Sequence, residues 1–479
     1  MDNSRVHESG LSYQGLFVCV QLLFDLELAI FLYLLFLACF VILSGLIFLF
    51  IITFLFRITH LSIFIVFGTF WMAGGAVAAP FLDLHTMAEI VTSTNPQVYA
   101  AIAEKEAAQE ELSASKMARY PDISLQTQMD SFKTLGMTLV VEQPLWTAGR
   151  LAAQVDGAAF NLDQAQYQIQ ETQYLLVVRL LGYWEQLIAA REKVSASEGV
   201  LNKLNELQAM MERRVASGVS PLIDLKQVMA RLALIRVEHD DAKSQEKIAI
   251  ARIQQISNGQ LTPGWLLNVP VLKQQGVIAN QFDLGVVMSL FESAVQAHPT
   301  VKKALANIEE QSQVVIVSRA AQWPEMYAQL RQDVASGGGG SSSGGLVGFR
   351  YAPGQGFSSY ASTKAAQARV KSARQTLESA RRDVMESLGD DYESLRRSKT
   401  RVEAFSASLE GTKAVLASYE RQFVMGHRTW LEVLNTVREV YQNLSSLINS
   451  QAEMVVITYR LKMRLGLLGW NYVDKASNE

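Results

Sequence analysis

Two proline-free stretches of unusual length dominate this sequence: one lies between Pro144 and Pro221, and the other runs from Pro353 to the end. Inside both stretches apolar residues recur at every seventh position, in the series Leu180, Leu187, Val194, Leu201 and the series Leu388, Leu395, Val402, Leu409, Leu416. A strict seven-residue spacing predicts a coiled-coil seam rather than the broader apolar stripe of a globular helix. Helices over 150–216 and 358–424 would each be about 100 Å long at the standard rise. No single globular domain needs a helix of that length.

Each long helical stretch is followed by a glycine and then by a second helical stretch. Gly218 and Gly426 stand at the expected tight turns, where a positive φ is often needed and glycine adopts it without strain. Return helices are expected over 221–257 and 429–467, which makes two helical hairpins. A simple cytoskeletal-type coiled coil would fit these helices equally well, so the fold has to be inferred from the segments outside the helices.

The sequence after residue 78 repeats itself with a period near 205 residues, which is too long for a solenoid repeat and suits a duplicated half. Four anchors recur in the same order at offsets of 203 to 209 residues: Asn95-Pro96 with His298-Pro299, Tyr120-Pro121 with Trp323-Pro324, Pro144 with Pro353, and Gly218 with Gly426. We therefore expect two structural repeats, 79–258 and 284–470, joined by a linker over 259–283 and followed by a short tail, 471–479.

Each repeat also contains two short segments with the character of β-strands. They are 123–130 and 136–143 in the first repeat, and about 324–332 and 345–352 in the second. The alternation is clearest in the first strand, where one face holds Ile123, Leu125, Thr127 and Met129 and the other holds Ser124, Gln126, Gln128 and Asp130. Apolar and polar faces suit a membrane barrel with lipid outside and water inside, and the alternative is a half-buried strand of a soluble sheet.

Four strands are too few for a transmembrane barrel, since the smallest known barrels have about eight. An open sheet in lipid would leave edge groups unpaired at a cost of several kcal/mol each, so strands from several copies of the chain would have to combine.

The Gly/Ser run 337–345 lies between the strands of the second pair. It is expected to form a flexible outward-facing loop, and it is not a phosphate loop because no Gly-Lys-Ser/Thr follows.

The N-terminal 78 residues hold two apolar segments. The extension 1–56 contains an uncharged run, beginning at Leu28, that is long enough to cross a bilayer. The next segment, 57–78, has a basic residue, an apolar stretch and a small-x-small end, which is typical of a signal peptide cleaved between Ala78 and Ala79. The extension is then either a membrane helix or the result of a start codon assigned too far upstream.

Composition excludes several classes of function. The chain has 43 Lys+Arg against 46 Asp+Glu, so there is no basic excess for nucleic acid as the main partner. Both cysteines, Cys19 and Cys39, precede the expected cleavage site. The exported part would therefore have no disulfide and no thiol chemistry, and no lipid-bearing cysteine at its start.

No constellation of catalytic or metal-binding residues stands out. None of the four histidines after residue 78 has a second His or Cys within three to five positions: His85, His239, His298 and His427. No His-Glu-x-x-His motif occurs in the sequence, and the single Gly-x-Ser-x-Gly match, at 340–344, lies inside the Gly/Ser run and is not a nucleophile elbow between a strand and a helix. The adjacent acids Asp390 and Asp391 are expected on a solvated helix face. We expect neither enzyme activity nor a cofactor or metal site.

In their order, these features resemble the TolC family of outer-membrane export ducts over essentially all of 81–470. The resemblance rests on the Asn-Pro start of the first repeat, the junction Pro144-Leu145-Trp146-x-x-Gly149-Arg150, and the hairpin turns at Gly218 and Gly426. More narrowly, the segment from Ser418 to Glu439 is similar to LapE/AggA-type members, which serve type I secretion, typically of large adhesins.

The resemblance implies a mainly α fold with β: duplicated coiled-coil hairpins of long helices plus four transmembrane strands per chain. Three chains would form a homotrimer with one 12-strand β-barrel in the cell outer membrane. The helices would form a periplasmic tunnel, closed at its inner tip, where an inner-membrane transporter, of the ABC type for type I secretion, and a periplasmic adaptor protein dock. The cargo would be an exported protein or small molecules.

The resemblance also assigns roles near the hairpin turns, where family members hold the tunnel shut through bonds between helices and ring its mouth with carboxylates. The matching residues are Asp224, Phe423, Arg428, Glu432 and Asn435. Asn435 stands where the family often has a second acid, and Phe423 where a tyrosine often bonds the counterpart of Asp224. Closure is therefore expected to depend on Arg428. The alternative is that Arg428 and Glu432, four residues apart, form an ordinary surface pair.

Two functions of different classes remain open on sequence alone. One is an outer-membrane duct, for protein secretion or for small-molecule efflux. The other is a periplasmic adaptor that is anchored in the inner membrane by the apolar run from Leu28 and uses its coiled coil as a spacer. An adaptor would carry one hairpin and a β-rich remainder, whereas this chain has two hairpins and two strand pairs, which favours the duct.

Overall fold

The computed structural model of the protein describes residues 84–129, 135–266, 288–335 and 341–467. The chain divides into two compact units, 1–78 and 79–479, and all of the described residues belong to the second. Several predicted features lie outside the described residues: the extension 1–56, the signal peptide 57–78 with Ala78 and Ala79, most of the linker 259–283, residues 337–340 of the Gly/Ser run, and the tail 471–479.

Helices and strands follow one another in the same order in both repeats. In the first repeat, α1 is Leu84–Thr94, α2 is Pro96–Met117, β1 is Asp122–Met129, β2 is Leu135–Trp146, α3 is Arg150–Ala216 and α4 is Leu222–Ile256. In the second repeat, α5 is Phe291–Ala297, α6 is Pro299–Ala320, β3 is Glu325–Ala335, β4 is Ser342–Arg350, α7 is Ser358–Val424 and α8 is Trp430–Arg464. A helical turn, Pro263–Leu266, follows α4, and a 3₁₀ turn, Gln355–Phe357, precedes α7. The prediction of a mainly helical chain with antiparallel strands is confirmed.

The duplication extends to the lengths and the starts of the helices. The long helices α3 and α7 each have 67 residues, and the return helices α4 and α8 each have 35. The Asn-Pro and His-Pro anchors begin α2 and α6: Asn95 Oδ1 accepts the N–H of Gln97 at 2.9 Å, and His298 Nδ1 accepts that of Thr300 at 3.4 Å. Proline suits the next position because its missing N–H would have no helical partner there.

Four antiparallel strands form one sheet in the order β1-β2-β3-β4. β2 pairs with β3, with Val141 opposite Leu330, so backbone hydrogen bonds join the two repeats here. β1 and β4 are the edges, and within the described residues each is paired on one side. The sheet therefore carries two rows of backbone groups that could pair with further strands.

The Gly/Ser run is not a loop along its whole length, which corrects the sequence prediction. Residues Ser342 to Gly345 begin β4 and pair with β3, where Gly345 lies opposite Leu330. A Cβ on Gly345 would lie 3.0 Å from Leu330 Cδ2, and one on Gly348 would lie 2.9 Å from the ring of Tyr327. Large side chains of β3 fill the space beside these glycines, which is why a weak strand sequence is tolerated.

The two faces of the sheet differ in chemistry. One face exposes large apolar side chains at 59 to 73% of their area: Ile123, Leu125, Leu330, Val347 and Phe349. On the other face the Arg350 guanidinium bonds both carboxylate oxygens of Glu142, at 2.9 and 2.8 Å, and lies 4.5 Å from the centre of the Tyr327 ring. The exposed apolar face needs a nonpolar environment, since water is unfavourable for so much apolar area.

The hairpin helices form a layer in the order α4-α3-α8-α7. Each return helix packs along its own long helix, and α8 also packs on α3. The heptad leucines supply much of the seam, because Leu180, Leu187, Leu388 and Leu395 are fully buried. Burying each of them contributes roughly 2 kcal/mol. Among the described helices, none has both the length and the apolar character required to cross a bilayer.

The expectation of a solvated face at Asp390 and Asp391 is wrong for Asp391. This side chain is buried, and its carboxylate pairs with two cations of α8, Arg460 Nη2 at 2.5 Å and Arg464 Nη1 at 2.8 Å. Asp390 is exposed as expected. Adjacent residues of a helix point about 100° apart, so Asp391 faces the neighbouring helix while Asp390 faces water.

Candidate functional site at the hairpin turns

The two hairpin turns have the same backbone geometry. Gly218 has φ +73° and Gly426 has φ +80°, in the left-handed region. After each glycine the next N–H returns to the helix, from Val219 to the carbonyl of Arg214 and from His427 to that of Gln422, both at 2.9 Å. This bonding pattern satisfies carbonyls that the end of a helix would leave unpaired. The two long helices therefore end in turns of equivalent geometry.

A capping box begins α8 just beyond the second turn. The Glu432 carboxylate accepts both the backbone N–H and the hydroxyl of Thr429 at 2.8 Å, and the Thr429 hydroxyl accepts the N–H of Glu432 at 3.4 Å. The bond from the Thr429 N–H, then that from its hydroxyl, then that from Arg428 lower the pKa of Glu432 from its ordinary value. Glu432 is therefore ionised at neutral pH and is held in one orientation.

Arg428 is positioned by three side chains of its own chain. Its Nη1 donates to Glu432 Oε1 at 2.8 Å, and its Nε donates to Gln422 Oε1 at 3.2 Å. Its guanidinium carbon also lies 4.4 Å from the centre of the Tyr419 ring. A single chain therefore contains the i,i+4 pair that the sequence left open as the alternative. The pair is more than a third exposed, so its own contribution to stability is small.

Trp430 connects the two hairpins, and sequence reasoning missed it. Its indole Nε1 donates to the backbone carbonyl of Asp224 on α4 at 2.9 Å. Its ring packs against Phe423 in a tilted arrangement, with centroids 5.1 Å apart, and the guanidinium carbon of Arg214 on α3 lies 4.9 Å from the centre of the same Phe423 ring. A latch between hairpins is thus present without a tyrosine hydroxyl. The sequence feature that could have revealed this contact is the tryptophan at the first helical position after the turn.

The other two predicted residues, Asp224 and Asn435, lie nearby, but their side chains make no hydrogen bond within the described part of the chain. Asp224 is half-buried, and only its backbone carbonyl is used by Trp430. Asn435 is half-buried one turn beyond Glu432. Within the described part of one chain, neither the Asp224 carboxylate nor the Asn435 amide has a hydrogen-bond partner.

The outer surface of both turns is apolar. The side chains there are exposed by 52 to 63%: Val219, Leu222, Ile223, Val424, Met425 and Leu431. A concentration of exposed apolar side chains at the end of a rigid element is typical of a contact surface for another protein.

The sequence matches the family model described as outer membrane efflux protein over residues 89–259 and 290–467, which together include both hairpins, the sheet and the turns described above. The chain belongs to the outer membrane efflux protein family. Members of this family are transport channels and not a known class of enzyme. The protein is accordingly a component of the outer membrane, with its helical hairpins in the periplasm.

Solved structures of outer-membrane proteins share this fold. VceC from Vibrio cholerae has a TM-score of 0.69 at 15% identity, and the alignment covers 80% of this chain and 96% of that one. The outer-membrane channel OprN has a TM-score of 0.69 at 16% identity, covering 80% and 89%. The open state of MtrE from Neisseria gonorrhoeae has a TM-score of 0.65 at 14% identity, covering 80% and 88%. No curated protein matches the sequence significantly.

The family assignment confirms the predicted resemblance at the level of outer-membrane efflux channels. It favours the duct over the inner-membrane adaptor that the sequence left open. The narrower likeness to LapE/AggA-type members stays a prediction.

Proposed function

We propose that three copies of this chain form one export duct, with a 12-strand β-barrel in the outer membrane and a helical tunnel in the periplasm. The observation that carries the proposal is the four-stranded sheet with an apolar face and two edges. In lipid, the unpaired groups of β1 and β4 would cost several kcal/mol each. If β4 of each copy pairs with β1 of the next, three sheets close into 12 strands without an edge.

Native mass spectrometry of the protein in detergent tests this assembly directly. The expected species is a trimer, because each sheet needs neighbours on both edges. A stable monomer, or a dimer as the largest species, would contradict the barrel and with it the duct.

The tip residues are proposed to hold the tunnel closed at rest. Trp430 ties the two hairpins of each chain together, while Arg428 and Glu432 lie at the mouth. Threefold symmetry would place three Glu432 carboxylates around the axis. With Asn435 in place of a second acid, this ring carries less charge and should select less strongly for cations.

The partners proposed for this duct are an inner-membrane transporter and a periplasmic adaptor that docks at the hairpin turns. The apolar surface from Val219 to Ile223 and from Val424 to Leu431 supports this docking. Replacing Ile223 and Met425 with glutamate should abolish capture of the periplasmic adaptor by the purified duct, while the trimer persists. Unchanged capture would place the docking surface elsewhere.

The proposed cargo is a protein secreted through a type I system, such as a large adhesin, in which case the transporter is of the ABC type. The LapE/AggA-like segment from Ser418 to Glu439 supports this. Small-molecule efflux is the second candidate, and the description of the family favours it. A deletion strain distinguishes the two: loss of a large surface protein with unchanged drug susceptibility supports secretion, and the reverse supports efflux.

The mature chain is proposed to begin near Ala79, after removal of the signal peptide 57–78. N-terminal sequencing of protein from outer-membrane fractions should give Ala79 or a close neighbour. An intact extension 1–56 in the inner membrane would contradict this and would return the adaptor to consideration.

A further inference from the structure

Two arginines of the return helices have no acidic partner. Arg231 is a half-buried residue of α4, and Arg438 is an exposed residue of α8. No Asp or Glu stands three or four positions away from either arginine, so neither can form the usual ion pair along its own helix. Within the described ranges, neither guanidinium forms a hydrogen bond or an ion pair. Both charges are therefore left without a counter-charge in the chain.

The two helices that carry these arginines are held together in a fixed register. The indole Nε1 of Trp430 donates to the backbone carbonyl of Asp224 at 2.9 Å, which joins the start of α8 to the start of α4. Further along, Leu232 of α4 and Val437 of α8 are buried in one apolar core. These two residues directly follow and precede the two arginines, so the arginines lie at the edge of a packed contact.

Counting from the turns places the two arginines at the same height. Arg231 comes 13 residues after Gly218, and Arg438 comes 12 residues after Gly426. At the standard rise these are about 20 Å and about 18 Å along parallel helices. Burial, and then the charge of Arg438, lower the pKa of Arg231. The two positive charges therefore face each other across the contact between α4 and α8.

Two side-chain amides flank the arginines. Gln227 comes one turn before Arg231, and its amide oxygen is buried with no hydrogen-bond partner in the described part of the chain. Asn435 comes one turn before Arg438, and its amide is unpaired as well. A side-chain amide carries two donors on its nitrogen and can rotate to present them. Two guanidinium forks and two amides thus converge with donors that no acceptor of the chain uses.

The acids nearest in sequence do not neutralise this cluster. On the same face of α4, Asp224 and Glu238 are each seven residues from Arg231, or about 10 Å along the axis. On α8, Glu439 follows Arg438 directly, and adjacent helical residues point about 100° apart. Like charges at close range repel, so this arrangement favours an anion between the two guanidinium groups.

We propose that Arg231 and Arg438 bind a phosphate-type oxyanion between α4 and α8, with the amides of Gln227 and Asn435 as further donors. A phosphate group carries about 1.5 to 2 negative charges at neutral pH and has several acceptor oxygens. It can therefore neutralise both arginines and accept paired hydrogen bonds from both forks, which chloride cannot do. Free inorganic phosphate and a phosphate monoester share this chemistry.

A bound phosphate would join the two hairpins of one chain at a second point, about 10 Å beyond the Trp430 bond. It should therefore favour the closed tip. This consequence rests on the closure proposed above, whereas the binding itself needs only a single chain, since α4 and α8 supply all of the donors.

Thermal unfolding of the purified protein in detergent tests the binding, with inorganic phosphate compared with chloride at equal ionic strength. The unfolding midpoint of the wild type should rise with phosphate and saturate, as expected for a ligand that binds only the folded state. Arg231→Gln and Arg438→Gln should each weaken the apparent affinity at least about tenfold, because each loses hydrogen bonds to a charged group. The matched control is Arg236→Gln, an exposed arginine of α4 about 140° round the helix, which should respond as the wild type does.

A charge reversal gives the second measurement. Arg438→Glu places a carboxylate beside Arg231, where it replaces the anion. This variant should be as stable without phosphate as the wild type is with it, and phosphate should no longer raise its midpoint. Arg236→Glu makes the same change of charge on the exposed face and should keep the response to phosphate.

Channel recordings connect the site to the tip. Phosphate should lower the opening frequency of the wild type in planar bilayers and leave that of Arg438→Gln unchanged. If phosphate binds through both arginines but opening does not respond, the site stands and the proposed closure fails. A monomer that still binds phosphate would contradict the duct and keep the site.

Three results would overturn the site. The first is a wild type in which phosphate raises the midpoint no more than chloride does. The second is an equal rise in Arg231→Gln and Arg438→Gln, which would place the phosphate elsewhere. The third is loss of adaptor capture in Arg438→Glu with no phosphate response in the wild type, which would assign the two arginines to an acidic side chain of the adaptor.

Discussion

Arg464 and Asp391 form an ion pair inside the helical layer, with Nη1 of the arginine 2.8 Å from Oδ2 of the carboxylate. Arg460 Nε donates to the other oxygen of Asp391 at 2.7 Å. Arg464 also donates from Nε to the hydroxyl of Tyr174 on α3 at 2.7 Å, and the ring of Tyr174 meets that of His298 edge-on at 4.8 Å. One buried acid therefore joins α7 to α8 and, through Arg464, to α3.

Asp391→Asn should destabilise the protein by about 3 kcal/mol, because it removes a buried carboxylate and leaves two partly buried arginines without their counter-charge. Denaturant unfolding in detergent, followed by circular dichroism, measures the loss. Asp390→Asn is the matched control, since Asp390 is exposed, and it should change stability by less than about 0.5 kcal/mol. Equal losses of stability in the two variants would show that the ion pair does not stabilise the protein.

Acidic pH should lower the free energy of unfolding because His298 is buried in the folded protein. Burial, and then the charge of Arg464, lower the pKa of His298 to about 4. The unfolded chain takes up this proton below about pH 6.5 and the folded chain only near pH 4, so the free energy of unfolding falls as the pH drops through that window. The total loss from this group is about 3 kcal/mol.

The variant His298→Asn tests this, because asparagine caps the equivalent helix of the first repeat at Asn95. It should retain the fold and flatten the fall in stability between pH 6.5 and 4. The exposed His427→Asn is the control and should keep the slope of the wild type. An unchanged slope in His298→Asn would assign the acid sensitivity to other groups.

Trp430→Phe should loosen the tip while keeping its packing. The variant retains an aromatic ring on Phe423 but loses the hydrogen bond to the carbonyl of Asp224, which costs about 1 kcal/mol. Single-channel recordings in planar bilayers should show more frequent opening than in the wild type. Trp323→Phe, at an exposed tryptophan far from the turns in sequence, should match the wild type. A closed Trp430→Phe channel would mean that this bond does not hold the hairpins together.

Arg428→Ala should raise the channel conductance severalfold, because it removes the contacts to Gln422, Glu432 and Tyr419 together. The same bilayer recordings provide the measurement. If the conductance matches the wild type within error, Arg428 and Glu432 are only the surface pair that a single chain already forms.

Glu432→Gln should weaken block by multivalent cations without breaking the helix start. Glutamine at this position still accepts the Thr429 bonds of the capping box, so the substitution removes charge and preserves structure. Glu439→Gln, two turns further along α8 and exposed, is the control and should leave the block unchanged. Equal block in all three proteins would exclude a carboxylate ring at Glu432.

The elements with a strong local signal were predictable. Heptad leucines such as Leu187 and Leu395 are buried because a seven-residue period keeps one helix face on its partner over many turns. Gly218 and Gly426 occupy left-handed turns because only glycine adopts that backbone without a steric penalty. The Gly/Ser run was misread because β4 depends on Leu330 and Tyr327 of the adjacent strand.

The site at the turns was predictable only in part. Arg428 and Glu432 are four residues apart on one element, so their pairing follows from helical geometry. Trp430 reaches Asp224, which is 206 positions earlier in the chain, and no spacing within either hairpin reveals that bond.

Local sequence patterns were enough to predict the heptad period, the lengths and the duplication of the helices, because helices, turns and caps depend on neighbours a few residues away. The tertiary structure alone decided that Asp391 is a buried ion-pair partner while Asp390 is solvated, and that Trp430 joins the hairpins. These outcomes depend on which helix lies across from a side chain. That choice follows from packing of the whole layer, where a carboxylate or an indole N–H must find a partner once water is excluded.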